Sequence, residues 1–250
     1  MTPTPPVSAA LTGLFGDGRV CDAAGSALRP GGADLTEALL DRAAFQPGNL
    51  VVDVGCGQGV SVSALMRRGV LGVGIDWSDA TLKAARERFA GACFVAGEAD
   101  HLPFEDASLD GLLAECSLST MENRSHVLDE WFRVLRPGGR LAISDVYRRA
   151  GEPDEVAASG DLAPFASWRR IAFDLAAAGF AVEWFEDRSD VLANWVARFV
   201  FAQGSLEALW GGACGLTMAS VRAASPGYYV ALADRPAEPS TPRGSAETPT

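Results

Sequence analysis

The chain has 250 residues, of which 48% are hydrophobic and 21% are charged, and its formal net charge is −11. This length and composition are typical of a soluble globular protein with one sizeable core, and no apolar run approaches the length of a membrane-spanning helix. No run of Lys and Arg exceeds two residues. The acidic balance therefore disfavours nucleic acids and anionic membranes as partners.

The two ends of the chain differ in composition from its middle. We predict a flexible leader or lid over residues 1–28 and a disordered tail over residues 235–250, which is rich in Pro, Ser, Thr and Glu. Residues 29–234 are predicted to form the folded domain, with residues 190–225 inserted as a cap. The N-terminus lacks the pattern of a signal peptide, and the five cysteines are an odd number. Both features favour reduced thiols in the cytoplasm.

Predicted strands and helices alternate along the chain. Asp34 is a suitable N-cap for the first helix, and Ser78 for the helix that runs to Phe89. The predicted strands are 50–54, 70–75, 93–96, 109–114, 141–145, 181–185 and 228–233. The other predicted helices are 61–68, 123–135, 165–179 and 191–201.

The motif VVDVGCGQG at residues 51–59 joins a buried strand to a helix through a glycine turn. Glycines permit positive φ and let the backbone approach a ligand closely. The amides at the start of the next helix favour an anionic group such as a carboxylate. The spacing G-x-G-x-G differs from the G-x-G-x-x-G of dinucleotide-binding turns, which disfavours an NAD-type oxidoreductase.

An acidic residue follows the second predicted strand. Asp76 ends the run that begins at Val70. A carboxylate at the tip of this strand is placed to accept both hydroxyls of a ribose. The glycine turn and Asp76 together predict a nucleoside-containing ligand.

At these residues the chain resembles the class I S-adenosylmethionine (SAM) dependent methyltransferases, and more narrowly the methyltransferase type 11-like group. Four segments occur in the family's order, and the resemblance covers residues 48–145. They are VVDVGCGQG (51–59), GIDWS (74–78), GEADHLPF (97–104) and LRPGG (135–139) before a strand. The resemblance implies an α/β fold with a Rossmann-like seven-stranded, mostly parallel sheet, helices on both faces and a C-terminal helical cap insertion. It also implies SAM as the cofactor.

The resemblance also implies which residues contact the cofactor. Trp77 is placed to pack on the adenine or ribose, and Cys56 is interpreted as a small filler of the turn. Glu98 stands where the family has an Asp that faces the adenine amino group, so the longer side chain is a departure. The predicted cofactor residues are Asp53, Gly55, Cys56, Gly57, Gly59, Asp76, Trp77, Glu98 and Ala99.

Methyl transfer from SAM mainly requires that acceptor and methyl group be held in line and water excluded. Glu115 and Cys116, at the tip of the fourth strand, are the predicted catalytic residues because this position often faces the substrate. No resident metal is predicted. Four further residues are weaker candidates with ordinary structural alternatives, namely His101, His126, Asp145 and Tyr147.

The segment ECSLS at residues 115–119 resembles the arsenite methyltransferase branch, in which a cysteine at this position binds trivalent arsenic. Soft thiolates suit a soft metalloid, whose lone pair attacks the methyl group without a base. Cys21 and Cys214 are candidates to converge on Cys116. The alternative is three unrelated thiols that serve as small hydrophobic residues.

We therefore predict a cytoplasmic SAM-dependent methyltransferase that acts on a small-molecule acceptor. The favoured special case is a metalloid or thiol-bound acceptor held by Cys116. Methylation of O, N or C in an ordinary metabolite remains an alternative, as does a SAM-binding sensor without turnover. The sequence does not indicate the oligomeric state.

Overall fold

The computed structural model describes residues 29–121, 123–150, 165–203 and 218–237. The seven strands are β1 (Leu50–Val54), β2 (Leu71–Asp76), β3 (Cys93–Ala96), β4 (Leu109–Glu115), β5 (Leu135–Arg148), β6 (Ala181–Asp187) and β7 (Pro226–Asp234). The helices are α1 (Gly32–Ala43), α2 (Val60–Arg67), α3 (Asp79–Arg88), α4 (Arg124–Val134), α5 (Trp168–Ala177), α6 (Ser189–Gln203) and α7 (Met218–Ala224). A short 3₁₀ turn, Leu118–Thr120, follows β4.

The strands form one sheet in the order β3-β2-β1-β4-β5-β7-β6. The strands β1 to β5 pair in parallel, and β7 is antiparallel to both β5 and β6. This arrangement confirms the predicted seven-stranded, mostly parallel sheet. The carboxyl ends of β1, β2 and β4 meet at one edge, which is where open α/β sheets bind their ligands.

Helices cover both faces of the sheet. Leu39 of α1 and Trp195 of α6 belong to the core cluster on one face, and Trp131 of α4 belongs to the cluster on the other. Tyr228 and Tyr229 are consecutive in β7 and enter opposite clusters, because side chains alternate along a strand. The helix α6, predicted as part of the cap, thus packs into the core. Residues 204–217 of that segment, Cys214 among them, lie outside the described residues.

Two predicted helix starts have different outcomes. Ser78 caps α3 as predicted, because its Oγ accepts a hydrogen bond from the Thr81 N–H at 3.3 Å. The prediction for Asp34 is wrong. Helix α1 begins at Gly32 after Gly31, which has a φ of 79°. The left-handed backbone of that glycine sets the helix start three residues earlier than predicted, and Asp34 lies in the first turn, where a carboxylate interacts favourably with the helix dipole.

The fifth strand begins earlier than predicted. The segment at residues 135–139 is included in β5, and the pairing with β4 jumps from Leu109–Leu135 to Gly111–Arg140. The Pro and Gly residues that predict a turn therefore form a bulge within β5.

Arg235 is the first residue of the predicted disordered tail, yet the structure holds it in place. Its Nη1 donates to the carbonyl oxygens of Phe132 and Leu135, at 2.8 Å each, and so ties the end of β7 to the end of α4. The leader, with Cys21, and residues 238–250 lie outside the described residues. Within the described ranges, no helix is long and apolar enough to cross a membrane.

Candidate active site

The glycine turn between β1 and α2 combines tight packing with an open backbone. Gly55 and Cys56 donate their N–H groups to the Ile75 carbonyl at 2.8 and 2.9 Å, which ties the turn to β2. Gly55 has a φ of 76°, and a Cβ there would lie 2.6 Å from the Cβ of Ser117. At Gly57 a Cβ would meet no atom within 4 Å. Packing therefore requires glycine at the first position, whereas the second leaves backbone open to a ligand.

Asp76 lies at the carboxyl end of β2, beside this turn. Its Oδ2 accepts the Gly57 N–H and its Oδ1 accepts the Ser78 N–H, both at 3.0 Å. Burial raises the pKa of this carboxyl group above its ordinary value, while the backbone donors lower it. Each oxygen keeps further lone pairs, so the carboxylate can accept hydroxyl groups from a ligand in the cavity.

A cavity of about 580 Å³ opens at this edge of the sheet. Trp77 lies at its rim with 64% of its surface exposed. Seven predicted cofactor residues line the cavity, namely Gly55, Cys56, Gly57, Asp76, Trp77, Glu98 and Ala99. Asp53 and Gly59 do not line it. The cofactor contacts assigned to all nine residues stay predictions.

The wall of the cavity at the end of β4 carries Cys116, which has an unusual backbone. Its φ is 54°, a left-handed value that is uncommon for a residue with a side chain. Its N–H donates to the Ser144 carbonyl at 2.7 Å, and its Sγ lies 2.9 Å from the Tyr228 Oη. Burial raises the pKa of the thiol well above its ordinary range. Cys116 therefore presents a neutral, hydrogen-bonded thiol to the cavity.

Glu115 also lines the cavity, but hydrogen-bond donors surround its carboxylate. The Arg29 Nη2 lies 2.9 Å from Oε1, to which the Ser61 hydroxyl donates at 2.7 Å. The Thr36 hydroxyl donates to both carboxylate oxygens, at 3.1 and 3.2 Å, and itself accepts from the Arg29 Nη2. The neighbouring acidic groups raise the pKa of Arg29 against the effect of burial. Arg29 and Glu115 thus form an ion pair that is largely buried.

Asp53 lies behind the cavity and is only 2% exposed. Burial raises the pKa of its carboxyl group to about 8, the nearby Glu115 and Asp76 add to this rise, and Arg29 opposes it. At neutral pH this carboxyl group is therefore mostly protonated.

The weaker catalytic candidates lie outside the cavity lining. Asp145 holds the turn after β4, since it accepts the N–H and the hydroxyl of Ser119 at 2.8 and 2.7 Å. Tyr147 donates its hydroxyl to Asp187 at 2.7 Å. His101 and His126 are exposed. The sequence did not predict a role in the site for Arg29 or for the hydroxyl groups of Thr36, Ser61, Ser144 and Tyr228, because these residues belong to no motif.

The cavity can be tested against the groups that SAM carries, namely a ribose, an amino-acid carboxylate and a positive sulfur. The open backbone at Gly57 and the free lone pairs of Asp76 suit the ribose end. The Nε of Arg29 is buried and has no hydrogen-bond partner among the described residues. A buried donor without a partner is costly, so a carboxylate beside Arg29 would satisfy it. The residues present therefore fit SAM.

Part of the chain is similar in sequence to known methyltransferases. Residues 52–143 match the family model described as a methyltransferase domain. The chain is 39% identical over 137 residues to the methyltransferase GfsG of Streptomyces halstedii, covering 52% of this chain and 49% of that protein. It is 38% identical over 122 residues to an arsenite methyltransferase of Halobacterium salinarum, covering 46% and 31%. The chain thus spans about half or less of the length of these relatives.

Solved structures agree on the fold. The crystal structure of the [4+2]-cyclase SpnF superposes with a TM-score of 0.71 at 24% identity, covering 94% of this chain and 98% of that one. A geranyl diphosphate methyltransferase in complex with SAM superposes with a TM-score of 0.67 at 22% identity, covering 81% and 85%. The predicted fold is confirmed, and the family match supports the predictions of a methyltransferase and of SAM as its cofactor. Residues 52–143 of this chain thus match a methyltransferase domain, and the described residues have the fold of class I SAM-dependent methyltransferases.

Proposed function

We propose that the chain transfers the methyl group of SAM to a small-molecule acceptor through a neutral nucleophile. One cavity supports this proposal, because it joins the acidic end at Asp76 to a wall without net charge. That wall is formed by Cys116, Thr120 and Met121. An acceptor placed against it would be held in line with the methyl group, which is the main requirement of the transfer.

The chain's own residues would divide the work of binding. The sulfonium supplies an activated methyl group, and the protein has to orient it. Asp76 would accept the ribose hydroxyls, and Glu98 would face the adenine amino group. Arg29 would bind the amino-acid carboxylate through its Nε. We also propose a cytoplasmic location, on the basis of the cysteine content of the sequence.

A metalloid or thiol-linked acceptor is a second candidate. It is favoured by the sulfur of Cys116 at the cavity wall and by the likeness to the arsenite methyltransferase. Such an acceptor would need the Cys116 proton to leave, and burial opposes the thiolate. Other curated relatives are named demethylmenaquinone methyltransferases and O-methyltransferases, which favours an ordinary metabolite as acceptor. We therefore propose an ordinary metabolite as the preferred acceptor.

The test begins with SAM binding by calorimetry and continues with S-adenosylhomocysteine production. Arsenite with a thiol reductant is compared with the thiol alone and with a panel of phenols and quinols. We expect SAM binding and turnover with members of the panel. SAM binding without S-adenosylhomocysteine from any acceptor would instead favour a sensor without turnover.

The Cys116→Ser variant separates the two acceptor classes. Cys93→Ser is its matched control, because Cys93 is exposed and lies outside the cavity lining. Arsenite-dependent turnover that is lost only in Cys116→Ser would establish the metalloid acceptor. Turnover on a phenol or quinol of the panel in the absence of arsenite would establish the ordinary one.

A further inference from the structure

We propose that Tyr228, Ser144 and Glu115 form a directional proton relay behind Cys116, which turns the sulfur's lone pairs toward the cavity. The relay takes up the proton that a hydroxyl or thiol acceptor gives up during methylation. This inference rests on the proposed function, since it gives the proton of a hydroxyl or thiol acceptor a path from Cys116 to Glu115. Cys116 would be the catalytic residue, and the three residues behind it would act as positioning residues.

The relay is a continuous chain of four side chains. The Cys116 Sγ lies 2.9 Å from the Tyr228 Oη, which lies 3.1 Å from the Ser144 Oγ. The Ser144 Oγ lies 3.5 Å from the Glu115 Oε2, which is the longest step. Ser144 and Tyr228 are fully buried, whereas Cys116 reaches the cavity. Protons can therefore enter the chain only at the sulfur or at the carboxylate.

The charge on Glu115 sets the direction of the hydrogen bonds. The Arg29 Nη2 lies 2.9 Å from this carboxylate, and a carboxylate in an ion pair with a guanidinium only accepts hydrogen bonds. The Ser144 hydroxyl must then donate to Glu115, the Tyr228 hydroxyl to Ser144, and the Cys116 thiol to Tyr228. The thiol proton therefore points away from the cavity, and the lone pairs of the sulfur point into it.

Proton transfer along this chain balances. As the acceptor's bond to carbon forms and the carbon–sulfonium bond breaks, the acceptor proton bonds to Sγ. The thiol proton passes to the Tyr228 Oη, the tyrosine proton to the Ser144 Oγ, and the serine proton to the Glu115 Oε2. Glu115 loses its negative charge as the cavity loses the positive charge of the sulfonium. The net charge around Arg29 is thus unchanged.

Four groups, three from strands and one from the segment before α1, face the thiol and affect its titration. Asp145 in β5 and Glu115 in β4 disfavour the thiolate by their charge. Arg29, before α1, and the hydroxyl of Tyr228 in β7 favour it. Removal of the tyrosine hydroxyl should therefore make the thiol harder to deprotonate.

The test measures alkylation of Cys116 by iodoacetamide across a range of pH, followed by mass spectrometry of the peptide that contains it. In Tyr228→Phe we expect alkylation to slow about fivefold at a given pH and its pH profile to move upward, because the thiolate loses the hydroxyl group that can donate a hydrogen bond to it. In Ser144→Ala, which leaves Tyr228 in place, we expect a slowing of about twofold. No methyl acceptor is needed for this experiment.

Tyr229→Phe is the matched control, because it removes a hydroxyl from the next residue of β7 on the opposite face of the sheet. Its alkylation profile should equal that of the wild type. If Tyr228 served only to fill space, its truncation would loosen the wall and speed alkylation. Unchanged or faster alkylation in Tyr228→Phe, or in Ser144→Ala should Tyr228→Phe not fold, overturns the relay. SAM binding measured on the same samples keeps this outcome distinct from failure of the proposed function.

Discussion

The two ends of the cavity are built by different means. At the Asp76 end, backbone amides from Gly57 and Ser78 hold the carboxylate, and all three residues lie within two neighbouring motifs. At the Cys116 end, side chains hold one another, and their residues come from segments as far apart as Arg29 and Tyr228. The first end depends on backbone shape, and the second depends on individual hydroxyl and charged groups.

This difference decides what a substitution does at each end. Backbone donors remain when a side chain is changed, so the Asp76 end should fail only where the turn or the carboxylate itself is altered. A buried side-chain network loses a partner with every truncation, and the group left behind then bears the cost of burial. The Cys116 end should therefore respond to single hydroxyl groups.

The largest effect is expected where the turn itself is altered. In Gly55→Ala the new Cβ meets Ser117 at 2.6 Å, and the left-handed backbone adds strain. We expect the free energy of unfolding to fall by about 3 to 4 kcal/mol, measured by urea denaturation without ligand.

Gly57→Ala is the control for that substitution. Its Cβ meets no atom, so only the backbone strain remains, about 1 kcal/mol. The same methyl group would stand where a ligand approaches, and SAM affinity should fall. Equal stability losses in the two variants would refute the division of roles between these glycines.

Asp53 tests the charge balance behind the Cys116 end. Its pKa is about 8 in the fold, so the folded protein binds a proton that the unfolded chain gives up near pH 4. This contribution to stability is complete below that pH and is lost as the pH rises through the folded pKa. We expect the free energy of unfolding to fall by about 2 kcal/mol between about pH 6 and 8.

Asp53→Asn should remove this pH dependence, because an amide does not titrate. Urea denaturation at several pH values measures it, with the exposed Asp129→Asn as control. A wild-type slope that persists in Asp53→Asn would assign the titration to another group.

Asp76→Asn alters the carboxylate at the other end. An amide cannot accept from both backbone donors with both of its ends, and it lacks the charge that strengthens ribose hydrogen bonds. We expect SAM affinity to fall by about 1.5 kcal/mol, roughly tenfold. Calorimetry with the exposed Asp79→Asn as control would measure it, and unchanged affinity in Asp76→Asn would end the assignment of Asp76 to the cofactor.

The two ends of the cavity also differ in how well the sequence predicts them. The Asp76 end was predictable because glycine spacing and a strand-terminal carboxylate lie close together in sequence and have direct physical roles. The seven-stranded, mostly parallel sheet followed from the family resemblance. The first helix start was missed because Gly31 fixes it through its backbone conformation, whereas Asp34 carries the stronger side-chain signal.

The network at the Cys116 end could not be predicted by the same means. Ser144 stands in an apolar strand, and Tyr228 looks like a core aromatic residue until β7 is paired with β5. That pairing places Val230 opposite Ser144 and brings Tyr228 within reach of it, a relation that no local spacing encodes. Arg29 stands before the first helix and gains its role only when α1 packs near the end of β4.

The smallest effect is expected at Ser78, and it separates side chain from backbone most sharply. Ser78→Ala removes the cap of α3 but keeps the N–H that donates to Asp76. We expect the free energy of unfolding to fall by about 1 kcal/mol and SAM affinity to stay within about twofold of the wild type. Ser167→Ala is the matched control, since Ser167 caps α5 and does not line the cavity. If Ser78→Ala weakened SAM binding as much as Asp76→Asn while Ser167→Ala did not, the Ser78 side chain would contribute to SAM binding, where only its backbone N–H is expected to act.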